Sequence, residues 1–461
     1  LNLAKSHTVW YQVKDLIKEV PGKDLQGINI VEFSGDDEEH QNELVESLCR
    51  RLDQQMERGE AGVIGYQTCK DLPSILSVYA MRKKSVGLLG KAPGDAKPIP
   101  FTEDTAVPPE HLADYILEFR ALLDSYHLKY GMFGHIDCGV LHVRPALDMT
   151  DPEQEKTLRR ISDRMVELTK KYGGLMWGEH GRGFRSEYGP KYFGDLYPEL
   201  RKIKKAFDPD NRLNPGKIAV PEGNDEKLVS VDFQKRGTFD RQISLDVRHD
   251  FSDAMGCNGN GQCFTYDLNS PMCPSYKLTR DRRFSPKGRS SLIREWLREL
   301  QTRGIDPRDE EHIKDGRSVA GVFRRFINTL ALKSGTKDFS REVWDAMQEC
   351  LACKACASQC PVKVDVSNFR ARFLNIYYQR YSRPLKDMIV RNIEKTVPLA
   401  ASFPRLMNAL TLNPVSDFLT RKIVGFADAP AMSYPALPAL LAELGIETIR
   451  EPERLGQLPE E

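Results

Sequence analysis

The chain has 461 residues, of which 40% are hydrophobic and 29% are charged, and its net charge is +1. This balance excludes a basic nucleic-acid-binding protein and an acidic tail. No stretch approaches the roughly 18 apolar residues of a membrane helix, and no secretory signal opens the chain. We expect two or three domains and a cytoplasmic protein. Peripheral attachment to the inner membrane through an electron acceptor is the alternative.

Residues 1–225 are predicted to form an α+β domain. Residues 28–33 alternate like a strand, and residues 37–57 then follow a helical pattern. A second helix is predicted to begin at Pro108-Pro109, and a third to run from about Asp151 to Tyr172. Strands that are separated by helices and return antiparallel fit a ferredoxin-like, split βαβ layer.

The rest of the chain is predicted to be helical. Residues 226–385 carry cysteine runs at both ends of a helical insert, which indicates an all-α, ferredoxin-type iron–sulfur domain. Residues 386–461 contain repeated prolines and are predicted to form a tail of short amphipathic helices.

One cysteine run, C-L-A-C-K-A-C-A-S-Q-C-P, has the ligand spacing of a bacterial-type [4Fe–4S] site, including the final proline. A second run looks like its degenerate partner. In two-cluster ferredoxins the fourth cysteine of a run binds the other cluster. The first cluster is therefore assigned four ligands: Cys350, Cys353, Cys356 and Cys273.

A second cluster would take Cys257, Cys263 and Cys360, and Asn260 stands where its fourth cysteine should be. Three outcomes stay open, namely a [3Fe–4S] cluster, a [4Fe–4S] cluster with a non-cysteine ligand, and no second cluster. Zinc is the alternative for the whole set, because C-x2-C pairs also bind it. Zinc does not call for the run of four cysteines with its following proline.

Two glycine-rich patches, G-H-I-D-C-G-V-L-H and G-E-H-G-R-G, contain three of the nine histidines. A gap of seven residues would put His135 and His142 on opposite faces of one straight strand. The glycine between them allows a bend that turns both imidazoles toward one point. With Glu179 they would bind a divalent metal and leave positions open for substrate, and His180 would be free to act as a base. The alternative is that these are capping or core histidines.

These patches, together with F-D-P-D-N-R-L-N-P-G-K at 207–217, resemble the substrate-binding half of FAD-linked 2-hydroxyacid oxidases and dehydrogenases of the vanillyl-alcohol-oxidase type. The family pattern is G-H-x-G-D-G-N-L-H, then E-H-G-x-G, then F-D-P-x-x-x-L-N-P-G-K. With the cysteine runs attached, the chain looks like the large flavin and iron–sulfur members of this family. The resemblance covers about residues 20–380.

The resemblance implies oxidation of a D-2-hydroxyacid by FAD, with electrons passed to the iron–sulfur cluster and an external acceptor. It implies Zn²⁺, or alternatively Mn²⁺, on His135, His142 and Glu179. In this family the metal holds the substrate carboxylate and the 2-hydroxyl group. His180 would take the hydroxyl proton while hydride leaves C2 for the flavin.

The resemblance also implies substrate contacts by Arg82 and Lys97 and a flavin contact by Asn214. Arg144 stands where an asparagine is usual in the family. A guanidinium there could fork onto a second carboxylate. This favours D-2-hydroxyglutarate, which would yield 2-oxoglutarate, over D-lactate or glycolate. The alternative is an ion pair of Arg144 with a nearby aspartate, either Asp148 or Asp137.

The family's flavin-binding domain, with its glycine-rich phosphate-binding segment, has no counterpart in this sequence. We therefore expect that a longer polypeptide or a separate subunit supplies it. The other expected partners are the 2-hydroxyacid and an electron acceptor, either a quinone or a carrier protein, and a homo-oligomer is left open. The rival interpretation is an electron-transfer subunit whose first domain is a non-catalytic docking module.

Overall fold

The computed structural model describes residues 13, 14, 16, 22, 25, 27–59, 62–88, 94–311, 318–335, 338–426, 431–435 and 437–446. The chain divides into two compact units. Residues 1–309 with 339–373 form the first unit, and residues 310–338 with 374–461 form the second. The predicted domain limits at 225 and 385 stay predictions.

An antiparallel sheet in the first unit is built around one strand. Its strands are β1 (Lys97–Pro98), β2 (Thr105–Ala106), β3 (Tyr130–His135) and β4 (Val140–Leu147). β4 pairs with each of the other three. Because β2 and β3 both pair with the start of β4, they lie on its two opposite edges. The start of β4 is therefore enclosed on both sides.

Helices make up most of the remaining regular structure. The longer ones are α1 (Glu38–Glu57), α2 (Leu72–Leu88), α3 (Leu112–Ser125), α4 (Pro152–Lys171), α5 (Tyr197–Phe207), α6 (Pro286–Thr302), α7 (Val319–Lys333), α8 (Phe339–Gln348) and α9 (Val366–Arg380). Shorter helices and helical turns are Pro109–His111, Ser186–Tyr188, Gly189–Phe193, Gly194–Leu196, Arg236–Asp240, Leu245–Asp250, Ser252–Met255, Gln262–Phe264, Pro274–Thr279, Arg282–Phe284, Pro307–Glu311 and Ala355–Gln359.

α3 and α4 pack against the sheet and form the core beneath the histidine-bearing strands. Phe119 of α3, Met165 of α4 and Val143 of β4 are fully buried in this core. Burying one such apolar side chain stabilises the fold by about 1.5–3 kcal/mol. The apolar periodicity predicted both helices, and the structure confirms them.

The ends of α4 follow from the local sequence. The Asp151 side chain accepts a hydrogen bond from the backbone N–H of Glu153 at 2.9 Å, and Pro152 occupies the first turn, where it loses no hydrogen bond. Gly173 follows the helix with φ +66°, the left-handed conformation that ends many helices. The predicted limits of about Asp151 and Tyr172 agree with these ends of the helix.

Residues 28–33, predicted as a strand, form no strand in the structure and have no sheet partner among the described residues. Alternation alone does not make a strand, because its backbone groups need a neighbouring strand. The apolar side chains of this stretch are also exposed, Ile28 by 41% and Val31 by 59%. The helix predicted next is confirmed as α1, although none of its residues is fully buried.

The α+β class is confirmed, since the structure mixes helices with an antiparallel sheet and is rich in helix. Among the described residues, no helix is both long enough and apolar enough to cross a bilayer. The predicted proline-rich tail contains short helices, many of whose apolar side chains are exposed. They are Leu385–Arg391, Ile393–Ala401, Pro404–Thr411, Pro414–Leu419, the π-helical turn Thr420–Val424 and Leu437–Glu443.

Candidate functional site

His135 and His142 lie on neighbouring strands of a hairpin, so the expectation of one bent strand is wrong. His135 ends β3, and His142 of β4 pairs with Phe133. Residues two apart on a strand share a face, so the two histidines are diagonal neighbours on one face. Their ring centroids are 5.9 Å apart. The two imidazoles do converge, as the sequence suggested, but through strand pairing.

The turn of this hairpin depends on Gly139. Its φ of +65° lies in the left-handed region, and a Cβ at this position would lie 1.8 Å from the carbonyl oxygen of Val107. Only glycine fits this close approach. Gly139 therefore lets the turn pack beside β2 while the chain reverses between the two histidines.

Glu179 joins the two histidines from a separate loop. Its Oε1 atom lies 2.8 Å from Nε2 of His142, and its Oε2 atom lies 3.5 Å from Nε2 of His135. The same Oε1 atom is 2.8 Å from Nε2 of His180. One carboxylate thus contacts three imidazoles, all on side chains that the sequence had assigned to the site.

Asp104 holds this loop in place and was missed by the sequence analysis. Its Oδ1 atom accepts a hydrogen bond from the backbone N–H of Glu179 at 2.8 Å, and its Oδ2 atom accepts one from the N–H of His180 at 3.1 Å. Its own N–H donates to the carbonyl oxygen of Leu141 at 2.9 Å. Asp104 therefore connects the Glu179–His180 peptide to β4. Its left-handed φ of +70° was the one unusual local feature, and the sequence does not reveal it.

A second long-range contact stiffens the same region. Arg185 is 1% exposed and donates hydrogen bonds to the carbonyl oxygens of Phe101, Glu103 and Met176. Burial lowers the pKa of Arg185 to about 10. The guanidinium thus ties the segment before Asp104 to the segment before Glu179.

The geometry of His135, His142 and Glu179 fits a divalent metal. Their ligand atoms all lie within 4.8 Å of one another. A tetrahedral zinc ion with bonds of about 2.0–2.1 Å would hold such atoms roughly 3.3 Å apart, close to the contacts found here. Three protein ligands leave a position for substrate or water. The ligand atoms of Asp104, Glu179 and His180 also lie within 4.8 Å of one another. The carboxylate of Asp104, however, already accepts backbone hydrogen bonds.

Burial favours the neutral form of the His142 imidazole. His142 is 4% exposed, and burial lowers the pKa of its imidazole. A lowered pKa keeps the ring neutral to lower pH, and the neutral ring is the form that binds metals. His135 is half-buried, and Glu179 is exposed. The group is therefore buried at His142 and open to solvent at Glu179.

Arg144 lies two residues beyond His142 on the same face of β4. Its Nε atom pairs with the carboxylate of Glu103, which is neither of the aspartates considered from the sequence. Its guanidinium also lies over the ring of Phe133, 5.5 Å from the centroid. Among the described residues, no further acceptor bonds Arg144, so its two terminal nitrogens can still fork onto a carboxylate.

The remaining predicted contacts are on other elements of the chain. Arg82 is on the exposed side of α2, and in the part of the chain that the structure describes no hydrogen bond or ion pair links it to the histidines. Lys97 is in β1, opposite Leu147. Asn214 is exposed, with φ +49°, in the loop after α5. Their roles toward substrate and flavin stay predictions.

The loop that presents Asn214 is organised by Asp208. The carboxylate of Asp208 accepts from the backbone N–H groups of Arg212 and Leu213 at 2.8 Å each, and from Nζ of Lys204 at 2.7 Å. These donors, Lys204 above all, lower the pKa of Asp208 to about 2. The aspartate of the D-P-x-x-x-L-N part of the motif thus fixes the conformation of the loop through these hydrogen bonds.

The four cysteines assigned to the first cluster meet at one cavity. Its lining includes Cys273, Cys350, Cys353 and Cys356. Cys360 does not line this cavity. It follows Cys356 in the sequence and is half-buried. Burial raises the pKa of the Cys273 and Cys356 thiols, the latter to about 11.

The spread of these sulfurs argues against a single zinc ion. Zinc bound at about 2.3 Å would bring its sulfurs roughly 3.8 Å apart. In the described part of the chain, the groups of three or more potential ligand atoms within 4.8 Å of one another contain no cysteine. No three of the sulfurs therefore converge on one ion, whereas a cluster with an iron at each ligand needs no such convergence.

The second cysteine run has a less complete arrangement. Burial raises the pKa of Cys263, which also interacts electrostatically with Cys257 and Cys273. The amide oxygen of Asn260 accepts from the N–H of Gln262 at 3.0 Å, so it serves the local turn.

Comparison with known proteins identifies the class of the first domain. Residues 2–218 match the family described as FAD linked oxidases, C-terminal domain. The resemblance to FAD-linked 2-hydroxyacid dehydrogenases is thereby confirmed.

More specific relatives cover nearly the whole chain. It is 56% identical to D-2-hydroxyglutarate dehydrogenase of Escherichia coli (strain K12) over 440 residues, which are 95% of this chain and 43% of that protein. It is 51% identical to D-2-hydroxyglutarate dehydrogenase of Pseudomonas putida over 97% of this chain and 44% of that protein. A D-lactate dehydrogenase of Anaerostipes hadrus is 27% identical over 47% of this chain and 46% of that protein. The chain thus spans less than half the length of these relatives.

We predict that the protein binds one zinc ion at the histidine group, which consists of His135, His142 and Glu179. His142→Asn and Glu179→Gln should each weaken zinc binding. Losing a ligand should reduce zinc affinity by more than the roughly 10- to 100-fold that a residue supporting a ligand contributes. Metal analysis and competition with a chelator measure this. His111→Asn, at an exposed histidine before α3, is the control. Unchanged zinc affinity in both variants would contradict the assignment.

Proposed function

We propose that this protein takes part in the FAD-dependent oxidation of a D-2-hydroxyacid, with D-2-hydroxyglutarate as the substrate and 2-oxoglutarate as the product. The observation that carries the proposal is the meeting of His135, His142 and His180 at the carboxylate of Glu179. The relatives named as D-2-hydroxyglutarate dehydrogenases support it, because they match 95–97% of this chain.

His135, His142 and Glu179 would hold the metal. A bound Zn²⁺ or Mn²⁺ would supply a Lewis acid that lowers the pKa of the substrate hydroxyl. Burial favours the neutral form of His142. The exposure of Glu179 leaves room for a substrate beside it.

His180 is suited to remove the hydroxyl proton. Its side chain is exposed, and its Nε2 atom is held 2.8 Å from Glu179. Its backbone N–H is fixed by Asp104, so the ring extends from an anchored peptide. In the reaction the hydroxyl proton would go to His180, and the hydrogen on C2 would leave with its electron pair to FAD. The product of these two losses is a 2-oxoacid. Asn214 would contact the flavin.

Arg144 supports a substrate with a second carboxylate. It lies about 6.6 Å along β4 from His142, a distance of two strand residues. Glu103 fixes the guanidinium through Nε and leaves the terminal nitrogens for an acceptor. A dicarboxylate could thus reach from the metal group to Arg144. Arg82 and Lys97 would be further cationic contacts.

The cysteine cavity would hold a [4Fe–4S] cluster that takes electrons from the flavin one at a time. Cys273, Cys350, Cys353 and Cys356 would be its ligands, since they line one cavity and do not converge on one ion. Cys257, Cys263 and Cys360 would serve a second cluster if one forms. A quinone or a carrier protein would be the final acceptor of a cytoplasmic enzyme.

Two rival functions are kept. The first is a D-lactate or glycolate dehydrogenase, favoured by partial similarity to a D-lactate dehydrogenase and to glycolate oxidase subunit GlcD of Bacillus subtilis, 25% identical over 182 residues, 39% of this chain and 36% of that protein. The second is a non-catalytic electron-transfer subunit. The converged histidine group argues against the second, because a docking module does not need it.

We predict that His180→Ala slows flavin reduction by about 10²- to 10⁴-fold, the usual contribution of a general base. Substrate affinity should change little, because the metal ligands remain. Single-turnover flavin absorbance in the FAD-loaded enzyme measures the rate, and added imidazole should restore part of it. His40→Ala, at an exposed position of α1, is the control. An unchanged reduction rate would remove His180 from the mechanism.

We predict that Arg144→Gln lowers kcat/KM for D-2-hydroxyglutarate by about 10- to 150-fold, since a hydrogen bond to a charged group contributes about 1.5–3 kcal/mol. The value for D-lactate, which has no second carboxylate, should change little. Steady-state kinetics with both substrates test this. Arg164→Gln, at an exposed arginine of α4, is the matched control. Equal losses with the two substrates would argue against a dicarboxylate.

We predict that Cys353→Ser removes most of the EPR signal of the reduced cluster and lowers the iron content, because one cluster ligand is lost. Iron and sulfide analysis alongside EPR measures both. Cys138→Ser changes an exposed cysteine of the β3–β4 turn and should leave the signal intact. A signal of full intensity in the Cys353 variant would refute the ligand assignment.

A further inference from the structure

A buried arginine borders the cysteine cavity. Arg289, near the start of α6, is 1% exposed and contributes to the cavity lining. Its Nε atom donates to the carbonyl oxygen of Ala346 at 2.8 Å, and its Nη1 atom donates to the carbonyl oxygen of Phe284. Nη1 also lies 3.8 Å from the sulfur of Cys273. The third nitrogen, Nη2, is buried and has no hydrogen-bond partner among the residues that the structure describes.

The turn before α6 brings these groups together. Gly288 lies so close to this turn that a Cβ would be 2.0 Å from the carbonyl oxygen of Arg282. The absence of a side chain lets the Arg282–Phe284 turn fold against the helix. The carbonyl oxygen of Phe284 is thereby positioned to accept from Arg289, which fixes the guanidinium beside Cys273.

Arg289 has no acidic partner among the described residues. A buried charge is costly unless an opposite charge compensates it. Arg294 on the same helix shows the usual solution, because it is paired with Asp240 at 3.1 Å. Two carbonyl oxygens satisfy part of Arg289, but they leave its net charge and its Nη2 atom uncompensated. The cavity that it borders should therefore contain an anion.

We propose that Arg289 is the charge partner of the cluster and raises its reduction potential. The inference rests on the proposed iron–sulfur function. Reduction adds one negative charge to a site ringed by four thiolates, and a cation at hydrogen-bond distance from one of them stabilises that added charge. Charge and hydrogen bonds to the sulfurs are among the terms that set cluster potentials. Arg289 acts through Cys273, so it is a positioning residue and not a ligand.

A structural role alone would predict something different. If Arg289 only connected Phe284 to Ala346, its loss would lower the thermal stability of the protein without changing the potential of a cluster that still assembles. The potential is thus the measurement that separates the two roles.

The test is an EPR-monitored redox titration of the purified holoenzyme and three variants. Arg289→Gln removes the charge, Arg289→Lys keeps it, and Arg298→Gln is a matched control at a half-buried arginine of α6 that is paired with Glu295. We expect Arg289→Gln to weaken reduction at least tenfold, a shift of 59 mV to more negative potential for one electron. Arg289→Lys and Arg298→Gln should stay within threefold of the wild type.

Iron and sulfide content and melting temperature are measured on every sample. A wild-type protein without a cluster would overturn the iron–sulfur proposal and the role of Arg289 with it. A wild-type cluster with an unshifted potential in Arg289→Gln would overturn only the role of Arg289. If the glutamine variant does not fold, Arg289→Lys decides, because a tenfold loss despite the retained charge would contradict the proposal.

Discussion

The candidate metal site depends on one buried carboxylate. Asp104 is 5% exposed, and its carboxylate accepts hydrogen bonds from the backbone N–H groups of Glu179 and His180. An unpaired carboxylate in this position would be costly, so the same two bonds satisfy Asp104 and fix the loop. Because Asp104 is itself bonded to β4, the strand that carries His142 also sets the position of Glu179. The three side chains that would bind the metal are thus all positioned relative to the same strand, β4.

The histidine group and the cysteine cavity each have a neighbouring arginine that protein contacts hold in a similar way. At the histidine group, Arg144 is fixed by Glu103 through Nε, and in the proposed function its terminal nitrogens would bind the second substrate carboxylate. At the cysteine cavity, Arg289 is fixed by carbonyl oxygens, and one of its buried nitrogens has no partner in the described part of the chain. In both places protein contacts hold a guanidinium in position, and the proposed function leaves part of its hydrogen-bonding capacity for an anion. Such preorganisation lowers the cost of binding the anion, since the arginine does not have to be ordered on binding.

Local patterns predicted the features that local physics determines. The apolar periodicity and end signals of α3 and α4 were sufficient because core helices obey both, and the histidine patches were recognisable as motifs. The contacts that complete the site were not predictable, since they join distant residues. Asp104 bonds a peptide 75 residues away, and Glu103 pairs with an arginine 41 residues away. The histidine spacing was misread because a seven-residue gap fits either a bend or a hairpin. The strand expected at 28–33 failed because alternation does not reveal whether a partner strand exists.

The hairpin has a consequence for how this protein can change in evolution. His135 and His142 face the same way only because the turn between β3 and β4 has its present length. Adding or removing one residue there would shift the pairing register and send His142 to the opposite face of the sheet. Substitutions at the exposed positions of the turn leave the register intact. Natural variation in the turn should therefore appear as exchanges of residue type and not as insertions or deletions.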